Sequence, residues 1–185
     1  MHGSFWLVIA GPGDSGKSTL FKQLRMLYGD GISDRELARM KRQLHGNVFD
    51  AVRVLTKACE TLEIPIKDSS FAQTLCSYPS GTVLTPEIAE QVIKFWLDRG
   101  IQAAFQRRSE FTLDDSAPYL FTHVRRFATP EFVPTEEDVV HVRAKTSGIV
   151  EEALEFEGSP FVICDVGGQQ NERRKWIHAF QAVTA

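Results

Sequence analysis

The 185-residue sequence has no apolar run long enough to cross a membrane. Met1-His2-Gly3 does not put glycine directly after the initiator, so the pattern for N-myristoylation is missing. The apolar start also lacks the basic flank of a signal peptide. Cysteine is scarce: Cys59, Cys76 and Cys164 are an odd number without a C-x-x-C pair. The three are expected to be reduced, buried thiols in a cytosolic protein. Charge of one sign is not in excess: 21 basic against 24 acidic residues leave a net charge of −3, which gives no reason to expect a surface for nucleic acid or another polyanion. Internal repeats and low-complexity tracts are absent. What remains is ordinary for a globular protein, with 43% hydrophobic and 24% charged residues, enough for one large domain or two small ones.

The most specific stretch is Gly11-Pro12-Gly13-Asp14-Ser15-Gly16-Lys17-Ser18, which follows the apolar run Phe5–Ala10. It fits G-x-x-x-x-G-K-[ST], the phosphate-cradling loop, with a strand expected before it and a helix after it. Glycines let successive N–H groups turn inward around an anion. The helix expected from Lys17 to about Tyr28 aims its positive end at the same point. Lys17 reaches β and γ phosphates in such a loop, and the Ser18 hydroxyl holds Mg²⁺. The plain alternative is a glycine-rich turn.

Organisation along the chain is tripartite. Residues 1–31 read as strand, phosphate loop and helix. Residues 32–142 read as all-helical. Ser33-Asp34-Arg35-Glu36 is a capping box, opening a helix whose apolar positions Leu37, Met40, Leu44, Val48, Val52, Leu55, Cys59 and Leu62 fall on one face until Ile64-Pro65 ends it. Thr85-Pro86-Glu87 opens another helix, with Ile88, Val92, Phe95 and Trp96 inward. Thr135 to Asp138 caps a short last one. Residues 143–185 change period. Gly148–Glu157 alternates like a half-exposed strand, with Val150, Leu154 and Phe156 on one face. Gly158-Ser159-Pro160 is the expected turn, Phe161–Cys164 a strand covered on both faces, and about Glu172 to Phe180 a helix.

Two further segments carry chemistry. In Asp165-Val166-Gly167-Gly168-Gln169, Asp165 ends an apolar strand, where a carboxylate supports Mg²⁺ through water. Gly168 can offer its N–H to a γ-phosphate, and Gln169 can orient an attacking water. Alone, a strand-end Asp is often just a cap. In Arg143-Ala144-Lys145-Thr146-Ser147-Gly148, Arg143 can neutralise charge on a transferred phosphoryl group and Thr146 can give a second hydroxyl to Mg²⁺. Such a run is otherwise a solvated loop.

Taken together, Gly11–Thr19, Tyr119–Val124, Phe132–Val139, Arg143–Glu151 and Asp165–His178 resemble the α subunit of heterotrimeric G proteins in order and spacing, over essentially the whole chain. The resemblance implies an α/β P-loop NTPase (Ras-like GTPase) domain, incomplete, with an inserted all-α helical domain. It implies a GTP-hydrolysing switch that takes GTP or GDP and Mg²⁺ and carries signals from receptors to effectors. Backbone amides of Asp14, Ser15, Gly16, Lys17 and Ser18 would hold the phosphates, with Thr19 on the α-phosphate side. Ser18 and Thr146 would ligate Mg²⁺, with Asp165 behind water. Arg143 and Gln169 would be catalytic, and Gly168 would meet the γ-phosphate. Asp115 and Ser116 match the helical edge that closes over the nucleotide. The resemblance further implies a G-protein βγ dimer, a G-protein-coupled receptor, effectors and GTPase-accelerating regulators as partners, at the cytoplasmic face of the plasma membrane.

The chain departs from the family at named positions. Asp14 stands where the family has Glu, which would pair with Arg143, so nucleotide is expected to leave faster than from an Asp14→Glu variant. Gln170 replaces an Arg and removes a cation from the second switch. No N-K-x-D guanine-reading motif and no T-C-A-T loop occur in the sequence, and truncation at both ends is expected. The phosphate-loop strand is then an edge, and the α/β part is expected to be less ordered than residues 32–142. Two alternatives stay open: a non-hydrolysing binding or sequestering module, and another P-loop NTPase with a different nucleotide.

Overall fold

The structure is a computed structural model that describes residues 5–144 and 146–182, with the side chains of His178, Gln181 and Ala182 left aside. Expectations that touch Met1-His2-Gly3, Lys145 or the last three residues lie outside the described residues. The chain divides into two compact units, one of residues 1–36 and 144–185, the other of 37–143.

The first unit is a small mixed sheet with helices. Its strands are β1 (Phe5–Ile9), β2 (Ile149–Phe156) and β3 (Ser159–Val166), in the order β1-β3-β2. β1 runs parallel to β3, with Ile9 opposite Asp165. β2 runs antiparallel to β3, with Val150 opposite the same Asp165. β3 is thus paired on both sides, and Ile163 and Cys164 are buried. β1 is an edge among the described residues, and Phe5 and Leu7 are exposed. Helix α1 (Lys17–Tyr28) lays Phe21 on Leu154 and Ile163, with Ile9, Leu24 and Phe161 around them. A short helix α8 (Trp176–Ala182) closes the unit.

The β2–β3 turn differs from expectation. Glu157 and Gly158 both have positive φ, 49° and 74°, the geometry of a tight two-residue hairpin. Ser159 and Pro160 already pair with Phe156 and Glu155. Pro160 fits because the pairing of β3 with β1 begins one residue later, at Phe161, so its missing N–H is not asked for. Of the expected inward face of β2, only Leu154 is buried; Val150 and Phe156 stay exposed. The last helix starts later than the sequence suggests, after a 3₁₀ turn at Arg173–Lys175.

The second unit holds most of α2 (Asp34–Thr61), then α3 (Ser69–Cys76), α4 (Pro86–Trp96), α5 (Arg99–Gln106), α6 (Ala117–Phe127) and α7 (Glu136–His141). Its core gathers Leu44, Val48, Val52, Leu55 and Cys59 from α2 with Phe95, Phe121 and Phe127, all at most 2% exposed. Caps set the helix starts. Thr85 Oγ1 accepts from Ile88 N–H, and Thr135 and Asp138 form a reciprocal capping box. At the start of α2, in the first unit, Glu36 accepts from both the N–H and the hydroxyl of Ser33, so Ser33 acts there as a donor. α2 ends at Thr61, before Ile64-Pro65. Glu63 turns left-handed at φ 55°, and Ile64 N–H and Glu63 N–H return to the carbonyls of Cys59 and Glu60, a Schellman ending made without glycine. Cys59 and Cys164 are buried thiols, but Cys76 is only half-buried, because α3 presents Ala72 and Leu75 to the core instead.

Candidate functional site

The site in the first unit starts with the loop between β1 and α1. Gly16 takes φ 82° at the N-cap of α1 and offers no side chain to the first turn. The donors of that turn are therefore left for an incoming anion. Asp14 also sits at positive φ, 61°, a conformation short polar side chains tolerate. Ser15 Oγ donates to the Pro12 carbonyl at 2.9 Å. Lys17 is 9% exposed, and its Nζ donates to the Pro12 carbonyl and, at 3.3 Å, to Ser15 Oγ. Both acceptors are neutral, so at these contacts a buried ammonium meets only dipoles, and a phosphate oxygen would meet it with charge. Thr19 lies half-buried in the first turn.

Behind the loop three oxygens converge. Ser18 Oγ lies 2.7 Å from Thr146 Oγ1 and donates to Asp165 Oδ2 at 2.7 Å. Thr146 Oγ1 donates to the same Oδ2 at 3.0 Å. With Asp165 as a carboxylate, two hydroxyl protons serve three close oxygen–oxygen contacts. One side of the triangle therefore sets lone pairs against lone pairs. Asp165 Oδ1 is buried with no hydrogen-bond partner among the described residues. Oxygen donors of this kind, with one carboxylate, suit a hard divalent cation such as Mg²⁺. No group of three His, Cys, Asp or Glu side chains among the described residues would hold a softer metal.

The segment after β3 lies against the loop. A Cβ at Gly168 would come 2.5 Å from Lys17 Nζ and 2.7 Å from the Gly11 carbonyl oxygen, so only glycine permits this approach. Gln169 lies beside Gly13, with Cγ 3.8 Å from where a Gly13 Cβ would be. Glu172, which sequence reasoning passes over, ties two segments together. Its Oε2 accepts from Gly148 N–H at 2.7 Å and from Lys175 at 2.8 Å, and those bonds lower its pKa, Lys175 first. Gly148 in turn accepts from Gly167 N–H at 3.1 Å. The stretch carrying Thr146 and the stretch carrying Gly168 are thus joined through Gly148.

The remaining sequence-marked residues belong to the second unit. Ser116 Oγ lies 3.2 Å from His141 Nδ1, and Asp115 is exposed. Arg143 donates from its guanidinium to Asp114 Oδ2 at 2.8 Å. Asp114, the residue before Asp115, also accepts from Ser116 N–H at 2.8 Å. The main chain of Arg143 is held by Asn47 on α2. One signal for Asn47 was in the sequence: a polar, helix-averse residue three positions after Leu44 and one before Val48, beside the apolar stripe.

The G-alpha family profile, described as G-protein alpha subunit, matches residues 2–185. The chain is similar to guanine nucleotide-binding protein subunit alpha of Sporothrix schenckii and of Pyricularia oryzae, and to the alpha-1 subunit of Neurospora crassa. Each is 38% identical over 184 residues, covering 96% of this chain and 52% of the relative. The chain spans about half the length of these curated relatives.

Proposed function

Because the chain belongs to the G-protein alpha-subunit family, we propose that it forms the phosphate- and Mg²⁺-binding side of a guanine-nucleotide switch that hydrolyses GTP to GDP and phosphate. The proposed fold is a Ras-like P-loop domain built from residues 1–31 and 143–185, with residues 32–142 as an inserted all-α domain. The observation that carries this reading is the triangle of Ser18, Thr146 and Asp165, with two protons for three contacts, next to the buried Lys17.

The roles follow from the chemistry of each group. Backbone amides from Asp14 to Ser18 wrap the phosphates, Lys17 pairs with them by charge, and Thr19 lies on the α-phosphate side. Ser18 and Thr146 are the proposed Mg²⁺ ligands, with Asp165 acting through water. When bound, Mg²⁺ supplies positive charge to phosphate oxygens that gain negative charge during transfer. The Gly168 N–H is a donor to the γ-phosphate, and Gln169 orients the attacking water. Arg143 offsets charge developing on the transferred group, and Asp115 and Ser116 are further nucleotide contacts that the family resemblance implies. The preference for guanine rests on family membership and on the relatives' names. For the whole protein the proposed partners are a G-protein βγ dimer, a G-protein-coupled receptor, effectors and GTPase-accelerating regulators, at the cytoplasmic face of the plasma membrane.

Binding of fluorescent GDP and GTPγS, with ATP as competitor, tests the reading. Saturable binding that ATP does not displace and that Lys17→Ala abolishes is the expected result. Displacement by ATP at equal concentration contradicts the guanine reading, and binding untouched by Lys17→Ala contradicts the site.

A further inference from the structure

Arg143 follows directly on α7 and its C-cap residue Val142, and a single side chain holds its main chain from both sides. Asn47 Oδ1 accepts from Arg143 N–H at 2.9 Å, and Asn47 Nδ2 donates to the Arg143 carbonyl at 3.1 Å. A primary amide carries one acceptor and one donor group side by side. It therefore matches the N–H and C=O of one residue as a neighbouring β-strand would. Two bonds to one residue fix both of its peptide planes, and with them the point from which the guanidinium is projected. The far end is held separately, by Asp114 at 2.8 Å.

Asn47 sits in the middle of the 28-residue α2, where asparagine costs helix stability relative to alanine or leucine. Its neighbours Val48 and Phe49 are fully buried, which anchors the turn that carries it. Arg143 has no secondary-structure ladder of its own, so its half-buried backbone groups need side-chain partners.

We propose that Asn47 is a positioning residue for Arg143: it acts on phosphoryl transfer through the placement of the Arg143 charge, and itself meets no nucleotide. This rests on the functional reading above, in which Arg143 offsets charge on the transferred group.

The test is single-turnover hydrolysis of bound GTP with Mg²⁺ by the 185-residue chain, in wild type, Asn47→Ala, Arg143→Ala and the double variant. Asn47→Ala is expected to slow hydrolysis roughly tenfold, with GTPγS affinity changed less than about twofold, because misplacing a charge by a fraction of an ångström weakens transition-state contacts first. In the Arg143→Ala background the same substitution is expected to change nothing further, since there is no guanidinium left to place. Amide exchange gives a second readout: the Arg143 N–H exchanges faster in Asn47→Ala while the amides of α2 stay protected.

Equal slowing in both backgrounds would mean a general structural role and would overturn the inference. An unchanged rate in the single variant, or unchanged exchange at Arg143, would do the same. If the chain hydrolyses no GTP, or Arg143→Ala has no effect on the rate, the functional reading fails and the inference falls with it. Faster exchange at Arg143 in Asn47→Ala would then still show that the clamp is made, so the two failures are told apart.

Discussion

A methyl group at Gly168 would stand 2.7 Å from the Gly11 carbonyl oxygen and 2.5 Å from Lys17 Nζ. The lysine tip can swing away, but the Gly11 backbone cannot do so without moving β1 or the loop. Gly168→Ala is therefore expected to force the two segments apart at a cost of about 1–3 kcal/mol. GTPγS affinity should fall about tenfold or more while GDP affinity changes less, because Gly168 is the proposed γ-phosphate donor. Equal losses for the two nucleotides, measured by fluorescence titration, would contradict that role. Histidine sets a second expectation at this scale. His45 is buried, with Leu84 N–H donating to its Nδ1 and its Nε2 at 3.0 Å from the Phe127 carbonyl. Burial, then the nearby Lys41 charge, lower its pKa below the ordinary 6.5, and burial also lowers that of His141. A folded-state pKa below the unfolded one means that the unfolded chain takes up protons first. Stability is then full above pH 6.5 and falls as the pH drops below it. Urea unfolding at pH 7.5 and 5.5 checks the sign, and equal or greater stability at the lower pH contradicts it.

Helix ends show how far local chemistry carries. The helix starts at Thr85 and Thr135 were legible in the sequence because capping uses few residue types at fixed offsets, and the start of α1 at Lys17 because the phosphate-loop pattern requires a helix there. The end of α2 was not: Pro65 drew attention, while the chain had already turned at Glu63, a residue with no sequence mark for positive φ. Glu63→Gly is expected to stabilise the second unit by about 1 kcal/mol, since a left-handed residue with a Cβ is strained; a lower melting temperature would contradict this. The two-residue turn at Glu157-Gly158 was missed for a similar reason, because Pro160 looked like part of it. Among the proposed site residues, Lys17, Ser18, Asp165 and Gly168 sit in short motifs, and the sequence marks them through those motifs. The partners of Asn47 and Glu172 were not readable, since each bonds a backbone group 96 and 24 residues away; the polar Asn47 beside the apolar stripe marked a position but not its partner.

The whole molecule divides its core unevenly. The second unit's main apolar cluster holds Phe49, Phe95, Phe121 and Phe127 with many aliphatic neighbours, whereas the first unit's cluster centres on Phe21, Leu154 and Ile163. Burial is the main stabilising term, so two thermal transitions are expected by calorimetry, the first unit melting first and moving upward with added nucleotide. A single transition that nucleotide does not shift would contradict this. Acid acts on both units. Salt bridging and hydrogen bonds, led by Arg25, hold the Glu36 carboxyl at about 2. Burial would raise the Asp138 carboxyl, but Arg126 and the Thr135 N–H lower it to about 2. Both contribute stability above the unfolded carboxyl values of 4.5 and 3.8, and that stability is lost as the pH falls towards 2.

The central claim is that Ser18, Thr146 and Asp165 make a Mg²⁺-dependent triphosphate site beside Lys17. The most direct test is calorimetric titration of GTPγS into the 185-residue chain, once with Mg²⁺ and once with a chelator, repeated with Thr146→Ala. The account predicts tight binding that weakens strongly without Mg²⁺, and a Thr146→Ala chain in which the Mg²⁺ dependence is much reduced. Binding of equal strength with and without Mg²⁺, or a Mg²⁺ dependence that survives Thr146→Ala unchanged, would contradict it.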